Sequence, residues 1–416
     1  MMKTKFIPLV IIIACLFGCK EHKEATSSTK ATENRIENKR ELINRVFKIS
    51  EKQYNLLINK ITNNEPLLQP RGITENDNVR LVPYYDWTSG FFPGSLWYIY
   101  KYNQKDKWKA NAIKFTYALD SVKYITNSHD VGFMLDCSYG NAYSIANDTL
   151  SKRVIVEGAT SLITRYRPKI GVIQSWDTTP NMGWISEKGW NTPVIIDNMM
   201  NLELLYKAFQ FTNDSTFYKI ASNHAKKTLK NHFREDYSSF HVVDYDSKTS
   251  KVRNRQTAQG YSDPSSWARG QSWGLYGFTQ TFANTKDSVF LDQAKNIAHY
   301  IMGNKKIPKD LIPYWDYDAP NIPNEPRDAS AAAITASALL TLQQYVPEEQ
   351  KTMIAYAEKI LRRLSSNDYL ADIGSNQGFL LKHSVGNIHT DEENDEPLNY
   401  ADYYYLEALL KWQEVD

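Results

Sequence analysis

Apolar residues recur at three- and four-residue spacing along most of the chain, which is the period of amphipathic helices. From residue 39 onward this pattern predicts twelve helices separated by short turn-rich breaks. Their predicted ranges are 39–62, 89–103, 106–121, 131–146, 148–166, 194–212, 215–231, 267–285, 288–303, 328–344, 348–364 and 400–414. Because the helices pair across short loops, we expect six hairpins closed into a single-domain, all-α toroid of inner and outer helices over residues 39–416. No sequence repeat of fixed period is visible, which disfavours an open solenoid.

Two long segments interrupt the helical pattern. Residues 171–193 (GVIQSWDTTPNMGWISEKGWNTP) are rich in Gly, Pro, Asn and Trp. Residues 240–260 alternate like a β-hairpin that turns at 247–250. Each segment precedes a predicted helix that carries a candidate site residue. Structured loops before the inner helices are where a toroid would build a pocket, so we expect the pocket there.

The start of the chain has the layout of an export signal. Lys3 and Lys5 precede an apolar run over residues 6–17 that is too short to span a bilayer. The run ends in LFGC, which resembles a bacterial lipoprotein box and makes Cys19 the predicted site of lipidation by palmitate or similar acyl chains. Cys15 is a competing match, and a plain secretory signal is the alternative. We favour Cys19.

The polar segment that follows predicts a tether. Residues 20–38 are rich in Ser, Thr, Lys and Glu, which fits a disordered link between a lipid anchor and the catalytic domain. With residues 1–19 as signal peptide, we expect an exported protein anchored in the outer membrane of a Gram-negative bacterium, facing the periplasm or the surface. Cys137 would then have no cysteine partner, so no intramolecular disulfide is expected. The chain also shows no zinc-ligand spacing of Cys or His, so no metal is expected.

Composition narrows the possible partners. The formal charge of +2 is spread over 49 basic and 47 acidic residues without a basic stripe, which argues against nucleic acid. Ten Trp and 27 Tyr exceed what packing requires and favour a function that uses aromatic stacking, although most of them are expected in the core. The oligomeric state is left open by the sequence.

Two aspartates are candidates for acid/base chemistry. Asp130 lies in SHDVGFM and Asp197 in VIIDNMMNLELLY, each at a predicted helix entrance beside an aromatic-rich segment. For either one alone, the competing interpretation is a helix N-cap, a position that favours Asp. The two together favour a pocket that holds a pair of carboxyl groups.

Aromatic and polar side chains near these aspartates fit a sugar. Trp87 in YYDWTSGFFPG is a candidate platform for a sugar ring, with a core anchor as the alternative. In the segment 259–273 (QGYSDPSSWARGQSW), Arg269 and Trp273 are four residues apart and share a helix face. An arginine beside an indole suits a carboxylated sugar, and a cation–π pair in the core is the alternative. His241 is a lone histidine, and only its position in a segment predicted to form the pocket makes it a candidate site residue. A carbohydrate-active enzyme is therefore the leading hypothesis.

These motifs resemble those of the unsaturated glucuronyl hydrolases, glycoside hydrolase family 88. The resemblance runs through WTSGFFPG, SHDVGF, DNMMNLELLY and QGYSDPSSWARGQSW to PRDASAAAITASALL and NYADYYYLEALL. It implies an (α/α)6 barrel, with Asp197 as general acid/base and Asp130 as the second essential carboxylate. The substrate contacts that it implies fall on Trp87, His241, Gln259, Arg269 and Trp273.

The resemblance also implies a reaction. The family's substrate is an oligosaccharide whose non-reducing end is a 4,5-unsaturated uronate left by a polysaccharide lyase. Protonation of its vinyl ether and addition of water lead to loss of the neighbouring sugar, and the reaction needs no metal or organic cofactor. Glycosaminoglycan, ulvan and other glucuronate polymers all give this terminal residue, so the source polysaccharide is left open.

Three alternatives accompany this hypothesis. The first is an unsaturated rhamnogalacturonyl hydrolase of family 105, which shares the toroid and the hydration chemistry. The second is a surface lipoprotein that binds glycans without turning them over. The third concerns Arg269 alone, which could pair with an internal carboxylate such as Asp263 and serve the fold instead of the substrate.

Overall fold

The computed structural model describes residues 37–61, 66–179, 183–390 and 393–415. Cys19, the predicted signal peptide and nearly all of the predicted tether lie outside the described residues, so these assignments stay predictions. Asn38 begins the compact unit that contains the rest of the chain. Within the described ranges, no helix combines the length and the apolar character needed to cross a membrane.

Helices make up most of the described chain. They are α1 (Lys39–Ile61), α2 (Phe91–Asn103), α3 (Asp106–Tyr117), α4 (Val131–Leu135), α5 (Asn141–Ala146), α6 (Thr149–Ile163), α7 (Trp184–Glu187), α8 (Leu202–Thr212), α9 (Ser215–Asn231), α10 (Ala268–Thr285), α11 (Ser288–Gly303), α12 (Ala329–Leu342), α13 (Gln350–Leu364) and α14 (Asn399–Gln413). A π-helical turn, Asp136–Gly140, joins α4 and α5 into one segment. The short helix α7 lies in a loop.

The remaining helices form a closed double ring. In the described part of the chain, α2, α4–α5, α8, α10, α12 and α14 are the six inner segments, and α1, α3, α6, α9, α11 and α13 pack outside them. Contacts between α14 and α2 close the ring. The predicted (α/α)6 barrel is therefore confirmed, since six inner and six outer segments account for all twelve predicted helices.

Burial explains which helices are inside. Nearly every residue of α12 is buried, and its Ala- and Ser-rich sequence lets it pack closely between α10 and α14. Ser272 of α10 and Thr335 of α12 bring their hydroxyl oxygens to 2.9 Å across this contact. The outer helix α13 instead buries one stripe, Met353, Ala357, Ile360, Leu361 and Leu364, as an amphipathic helix does.

Short strands lie in the segments that precede several inner helices. They are β1 (Gln69–Ile73), β2 (Val79–Val82), β3 (Tyr166–Arg167), β4 (Val172–Ile173), β5 (Thr192–Ile195), β6 (Val242–Tyr245), β7 (Val252–Gln256), β8 (Ser384–Val385) and β9 (Asn394–Glu396). The strands β5, β6 and β7 form one antiparallel sheet, and each other pair forms a two-stranded ribbon. The predicted hairpin over 240–260 is confirmed as β6–β7.

One helix start differs from its prediction. The stretch predicted as helix 194–212 begins with the end of strand β5, continues through a 3₁₀ turn at Ile196–Asn201 and becomes α-helical only at Leu202. The β-branched residues of β5 favour extended backbone, and the strand gains ladder hydrogen bonds from β6. This sheet contact places the 3₁₀ turn at the mouth of the barrel.

All six inner segments begin at the same end of the barrel, which we call the site end. The residues found there at the six helix starts are Trp87, Asp130, Asp197, Arg269, Asp328 and Tyr400. Helix N-termini carry partial positive charge from their unpaired N–H groups. The site end is therefore suited to a negatively charged ligand.

Candidate active site

A cavity of about 770 Å³ opens at the site end. This volume lies within the range of about 300–1,000 Å³ typical of small-molecule sites. Its described lining includes five of the predicted site residues, Trp87, Asp130, Asp197, Gln259 and Arg269. Its further lining includes Trp176, Trp184, Lys188, Tyr261, Asn387, His389 and Thr390. The sequence-based prediction of a pocket built by these loops agrees with this location.

Close packing fixes the turn that carries Asp197. A Cβ atom on Gly132 would lie 2.4 Å from Asn201 Cα, and one on Gly277 would lie 2.5 Å from Met199 Cβ. Glycine at these two positions lets the 3₁₀ turn sit directly between α4 and α10. The backbone N–H of Phe133 donates to Asn201 Oδ1 at 2.8 Å. Asp197 lies inside this turn and not at its N-cap, so the capping alternative does not apply to it.

Burial makes Asp197 a weak acid. The residue is 7% exposed, and burial raises its pKa to about 7, with Arg269 opposing the rise and the negative charge of Asp130 adding to it. Its Oδ2 lies 3.6 Å from His241 Nε2. A carboxyl group that exchanges its proton near neutral pH can act both as acid and as base.

His241 lies behind Asp197 instead of in the cavity wall. Its Nδ1 accepts the backbone N–H groups of Ala258 at 3.1 Å and Gln259 at 3.2 Å, so the ring proton lies on Nε2, which is directed at Asp197. Burial lowers the pKa of His241 to about 3, with Arg269 adding to the effect, so the ring is neutral. His241 therefore offers Asp197 a neutral donor, a role that the lone histidine in the sequence did not reveal.

Asp130 supplies the second carboxyl group of the cavity. It occupies the N-cap position of α4, but its side chain makes no capping hydrogen bond. Its Oδ2 accepts from Ser128 Oγ at 3.1 Å, and its Oδ1 lies 3.2 Å from His129 Nε2. The side chain thus lines the cavity together with Asp197, as the pairing of the two motifs predicted.

Arg269 is held by the protein itself. The side chain is 1% exposed, and its guanidinium donates to the carbonyl oxygens of Val385 and Gly386, and to Asp328 Oδ2 at 3.2 Å. Its carboxylate partner is therefore Asp328 and not Asp263, which accepts the backbone N–H of Thr257 at 2.9 Å. These contacts make Arg269 an anchor of the loop at 385–386.

Gln259 supports the same loop. Its Nε2 donates to Gly386 O at 3.0 Å, the carbonyl that also accepts from Arg269. His389 Nε2 lies 2.8 Å from Gly260 O and joins the loop to the segment after β7. Arg269 and Gln259 thus shape the wall that presents Asn387, His389 and Thr390 to the cavity.

The two predicted tryptophans differ in position. Trp87 lines the cavity, with its ring 5.1 Å from Tyr400 and 5.9 Å from the Arg71 guanidinium. Trp273 is fully buried and packs on Phe133 at 5.1 Å and Tyr404 at 5.3 Å. Trp273 is not part of the described cavity lining, but its indole lies beside Asp197, where it opposes the rise in the pKa of that carboxyl. Its predicted contact with a sugar stays a prediction.

The sequence did not single out several lining residues. The Trp-rich segment 171–193 was predicted to form the pocket, but its lining residues Trp176, Trp184 and Lys188 were not predicted individually. His389 comes from the loop before α14. The combination of Trp with Gly and Pro in this segment was the sequence feature that could have indicated Trp176, Trp184 and Lys188. In the described ranges, no three His, Cys, Asp or Glu side chains are placed to hold a metal ion.

The two carboxyl groups and several indoles gathered in one cavity of this helical toroid are the groups that a carbohydrate-active enzyme needs. Residues 57–413 match the family model for Glycosyl Hydrolase Family 88, and the chain therefore belongs to this family of glycosidases. An unsaturated glucuronyl hydrolase of Formosa agariphila is 38% identical over 99% of both chains. An unsaturated chondroitin disaccharide hydrolase of Streptococcus pneumoniae is 35% identical over 79% of this chain and 82% of the relative.

Solved structures agree with this assignment. An unsaturated glucuronyl hydrolase specific for heparin superposes with a TM-score of 0.83 at 46% identity, covering 89% of this chain and 97% of that one. The unsaturated glucuronyl hydrolase of Bacillus sp. GL1 superposes with a TM-score of 0.80 at 27% identity, covering 90% of this chain and 96% of that one. The barrel is thus the fold of the family.

Proposed function

We propose that the protein removes the 4,5-unsaturated glucuronyl residue from the non-reducing end of glycosaminoglycan-type oligosaccharides released by polysaccharide lyases. The observation that carries the proposal is Asp197, a buried carboxyl group that lines the cavity with its pKa raised by burial to about 7. Relatives described as unsaturated glucuronyl hydrolases and unsaturated chondroitin disaccharide hydrolases support the same substrate class. The six helix starts at the site end favour a uronate carboxylate there.

The chemistry follows from the vinyl ether of the substrate. Asp197 gives its proton to C4, the electrons of the C4–C5 double bond form the new C–H bond, and the ring oxygen stabilises the cation at C5. Water adds at C5 while the Asp197 carboxylate takes one of its protons. The hemiketal opens, and the C1–oxygen bond to the next sugar breaks, so one water is consumed and a 5-keto uronate is released. Each step is a proton transfer, an addition of water or the cleavage of a C–O bond, so the proposed reaction requires no metal or organic cofactor.

The neighbours of Asp197 support both of its roles. The negative charge of Asp130 raises the pKa of Asp197 and so keeps it protonated before the reaction. The Nε2–H of His241 stabilises the carboxylate that forms after proton transfer. Trp87 at the cavity wall offers an apolar surface for the ring.

A panel of lyase digests tests the proposal. Purified protein is incubated with digests of heparin, chondroitin sulfate, hyaluronan and ulvan, and loss of the ultraviolet absorbance of the conjugated double bond is followed. Turnover of at least one glycosaminoglycan digest by the wild type, and none by Asp197→Asn, is expected. Binding without loss of absorbance would instead identify the glycan-binding lipoprotein, and action only on unsaturated galacturonyl-rhamnose would identify the family 105 type.

We further propose that the mature protein is attached to the outer membrane through acyl chains on Cys19, with residues 20–38 as its tether. The apolar run followed by LFGC and the polar segment after it support this proposal. Replacing Cys19 by Ser is expected to release the protein into the soluble fraction, because all acyl chains are lost at once. Cys15→Ser is the matched control and is expected to leave the protein on the membrane. The opposite pattern would move the lipidation site to Cys15.

A further inference from the structure

A buried histidine next to Asp130 takes no part in the proton transfers described above. We propose that His129 is a positioning residue, whose ring N–H directs the Asp130 carboxylate into the cavity and holds it against the turn that carries Asp197. The inference rests on the proposed function, since it explains how the second carboxyl group of that reaction is held. His129 itself is not part of the described cavity lining.

His129 differs from the other buried histidines of the described chain in what its ring nitrogens face. The rings of His224, His232 and His241 each use one nitrogen in a hydrogen bond with the backbone. His129 is fully buried, yet neither of its ring nitrogens forms an aligned hydrogen bond within the described chain. A buried polar group without such a bond costs stability, so packing alone does not account for a histidine here.

The side chains that face the ring belong to the two segments that carry the site carboxyl groups. Nε2 of His129 lies 3.2 Å from Asp130 Oδ1. On the other segment, Asn198 directly follows Asp197, and its side chain faces the ring. Asn198 Nδ2 donates to Ile173 O at 2.8 Å, which leaves the amide oxygen for His129. The ring therefore lies between the segment of Asp130 and the turn of Asp197.

Burial keeps the ring neutral, and the contact with Asp130 fixes where its proton lies. Burial lowers the pKa of His129, with the negative charge of Asp130 opposing this effect and the positive charge of Arg165 adding to it. A neutral imidazole carries one N–H, and at 3.2 Å an unprotonated Nε2 would repel the charged Asp130 oxygen. The N–H is therefore on Nε2 and faces the carboxylate, which is a stronger acceptor than the amide of Asn198.

The other titratable groups around the ring leave this assignment unchanged. Arg165 donates to three backbone carbonyl oxygens and to Asp177 Oδ1 at 3.0 Å. His224 and His241 are neutral, because burial lowers the pKa of each to about 3. The described contact of the His129 ring with a charged group is thus the one with the neighbouring carboxylate.

Both oxygens of Asp130 are held from within one short segment. Ser128 Oγ donates to Oδ2 at 3.1 Å and accepts the backbone N–H of Asp130 at 3.1 Å, while His129 faces Oδ1. Asp197 has the same kind of neighbour, since His241 directs its Nε2–H at Oδ2 from 3.6 Å. Each site carboxyl group thus has a buried neutral histidine behind it. Loss of His129 should displace Asp130 without removing its charge.

Two substitutions of similar length separate the donor from the packing. His129→Gln can place an N–H where Nε2 lies, whereas His129→Met fills the same space without a donor. Rates on an unsaturated glycosaminoglycan disaccharide are measured for both variants, alone and combined with Asp130→Asn, together with melting temperatures. His232→Met is the matched control, because it also removes a fully buried imidazole, but one that bonds to the backbone at Val194.

His129→Met is expected to lower kcat about tenfold, the scale of one charge-assisted contact, and His129→Gln should keep kcat within about threefold of the wild type. In the Asp130→Asn background, His129→Met should lower kcat less than about twofold, because its partner is already gone. The rate should fall as pH rises through about 7, where Asp197 loses its proton. His129→Met should leave this fall at the same pH, since the charge of Asp130 remains.

The control should behave differently from His129→Met. His232→Met should lower the melting temperature, because a buried carbonyl oxygen loses its donor, and should keep kcat within about threefold of the wild type. If His129→Met does not fold, His129→Asn takes its place, because the amide nitrogen of asparagine corresponds to Nδ1 and does not reach Asp130.

Three results would overturn the positioning role. The first is a kcat of His129→Met equal to that of the wild type. The second is the same fall in kcat with and without Asp130→Asn, which would make the ring a packing element. The third is a shift of the alkaline fall in His129→Met, which would mean that the ring acts on Asp197 directly. A wild type that consumes no glycosaminoglycan digest would instead reject the proposed function, so the two failures are distinguishable.

Discussion

Carboxyl groups lie at two cavities of the barrel, and they differ in how completely they are paired. Asp197 is at the site end, where the inner helices begin. Further along the inner helices lies a second cavity of about 130 Å³, which we call the base cavity, lined by residues that include Asp136, Glu203 and Glu407. Burial raises the pKa of Glu203 as it raises that of Asp197. A raised pKa is therefore common to both ends.

At the base cavity each carboxyl group has partners. Asp136 forms an ion pair with Lys207, and Glu203 Oε2 accepts from Asn284 Nδ2 at 2.7 Å. Glu407 accepts from Tyr98 at 2.9 Å, from Tyr276 at 3.0 Å and from Ser337. Although burial alone would raise the pKa of Glu407, the charge of Lys411 and these hydrogen bonds lower it.

At the site end the pairing is incomplete. Asp197 Oδ2 has no hydrogen-bond partner among the described residues, and His241 Nε2 lies 3.6 Å from it, longer than a hydrogen bond. The side chain lines a cavity of about 770 Å³. A buried carboxyl group with an unfilled hydrogen-bonding position costs stability unless a ligand uses it. Access and incomplete pairing therefore distinguish Asp197 from the carboxyl groups of the base cavity, whereas a raised pKa alone does not.

The largest expected effect is that of Asp197→Asn. The amide has almost the same shape but no acidic proton, so kcat should fall by at least about 100-fold, the usual contribution of a positioned acid/base group. Glu203→Gln is the matched variant at the base cavity and should keep kcat within about threefold, because Glu203 lies away from the reacting atoms. Steady-state rates and thermal unfolding of both variants measure the difference. Asp197→Asn with more than a tenth of the wild-type kcat would place the general acid elsewhere.

Asp130→Asn should have the second largest effect on activity. The pH dependence of its rate reports on the pKa of Asp197. The reaction needs protonated Asp197, so the wild-type rate should fall as pH rises through about 7. Removing the negative charge of Asp130 lowers the pKa of Asp197, so the fall in rate should move to lower pH, together with a loss of kcat/KM. If the rate of Asp130→Asn is near normal and falls at the same pH as that of the wild type, Asp130 has no role in the reaction.

The sequence predicted the helices well and the contacts at the site only in part. Helices α9 and α11 begin and end where their periodicity predicted, since Asp214 and Asp287 cap them locally. The turn that holds Asp197 depends on strand β6, which lies far along the chain, so periodicity alone extended the helix too far. Likewise the pairing of Arg269 with Asp328 joins two helix starts that only the closed ring brings together. The sequence thus indicated the helices and the candidate site residues, but not the contacts between residues that are distant along the chain.

Arg269→Lys should have a smaller effect on both activity and stability. Lysine keeps the charge but cannot bind Val385, Gly386 and Asp328 in one plane, so the wall at 385–390 should loosen. We expect the ratio of kcat/KM values to correspond to a loss of roughly 1–3 kcal/mol in transition-state stabilisation. The melting temperature should also be lower.

The pH dependence of the rate distinguishes the effect of the positive charge of Arg269 from the effect of its hydrogen-bonding geometry. The positive charge of Arg269 lowers the pKa of Asp197, so Arg269→Gln should raise that pKa and move the alkaline fall in rate to higher pH. Arg269→Lys, which keeps the charge, should leave the fall where it is. A lower melting temperature with normal kcat/KM in Arg269→Lys would make the residue purely structural.

The smallest effect is expected at the base cavity, from Tyr98→Phe. The hydroxyl of Tyr98 donates to Glu407 Oε1 at 2.9 Å and lies 3.0 Å from the hydroxyl of Tyr403. Glu407 keeps its bonds from Tyr276 and Ser337, so its charge stays compensated and no unpaired carboxylate is created. The free energy of unfolding should therefore fall by only about 0.5–1.5 kcal/mol, the net value of one hydrogen bond, while kcat and its pH dependence stay unchanged. Denaturant unfolding and the pH–rate profile of the variant check both parts, and a shifted pH–rate profile would mean that the base cavity is coupled electrostatically to Asp197, contrary to the separation of the two ends.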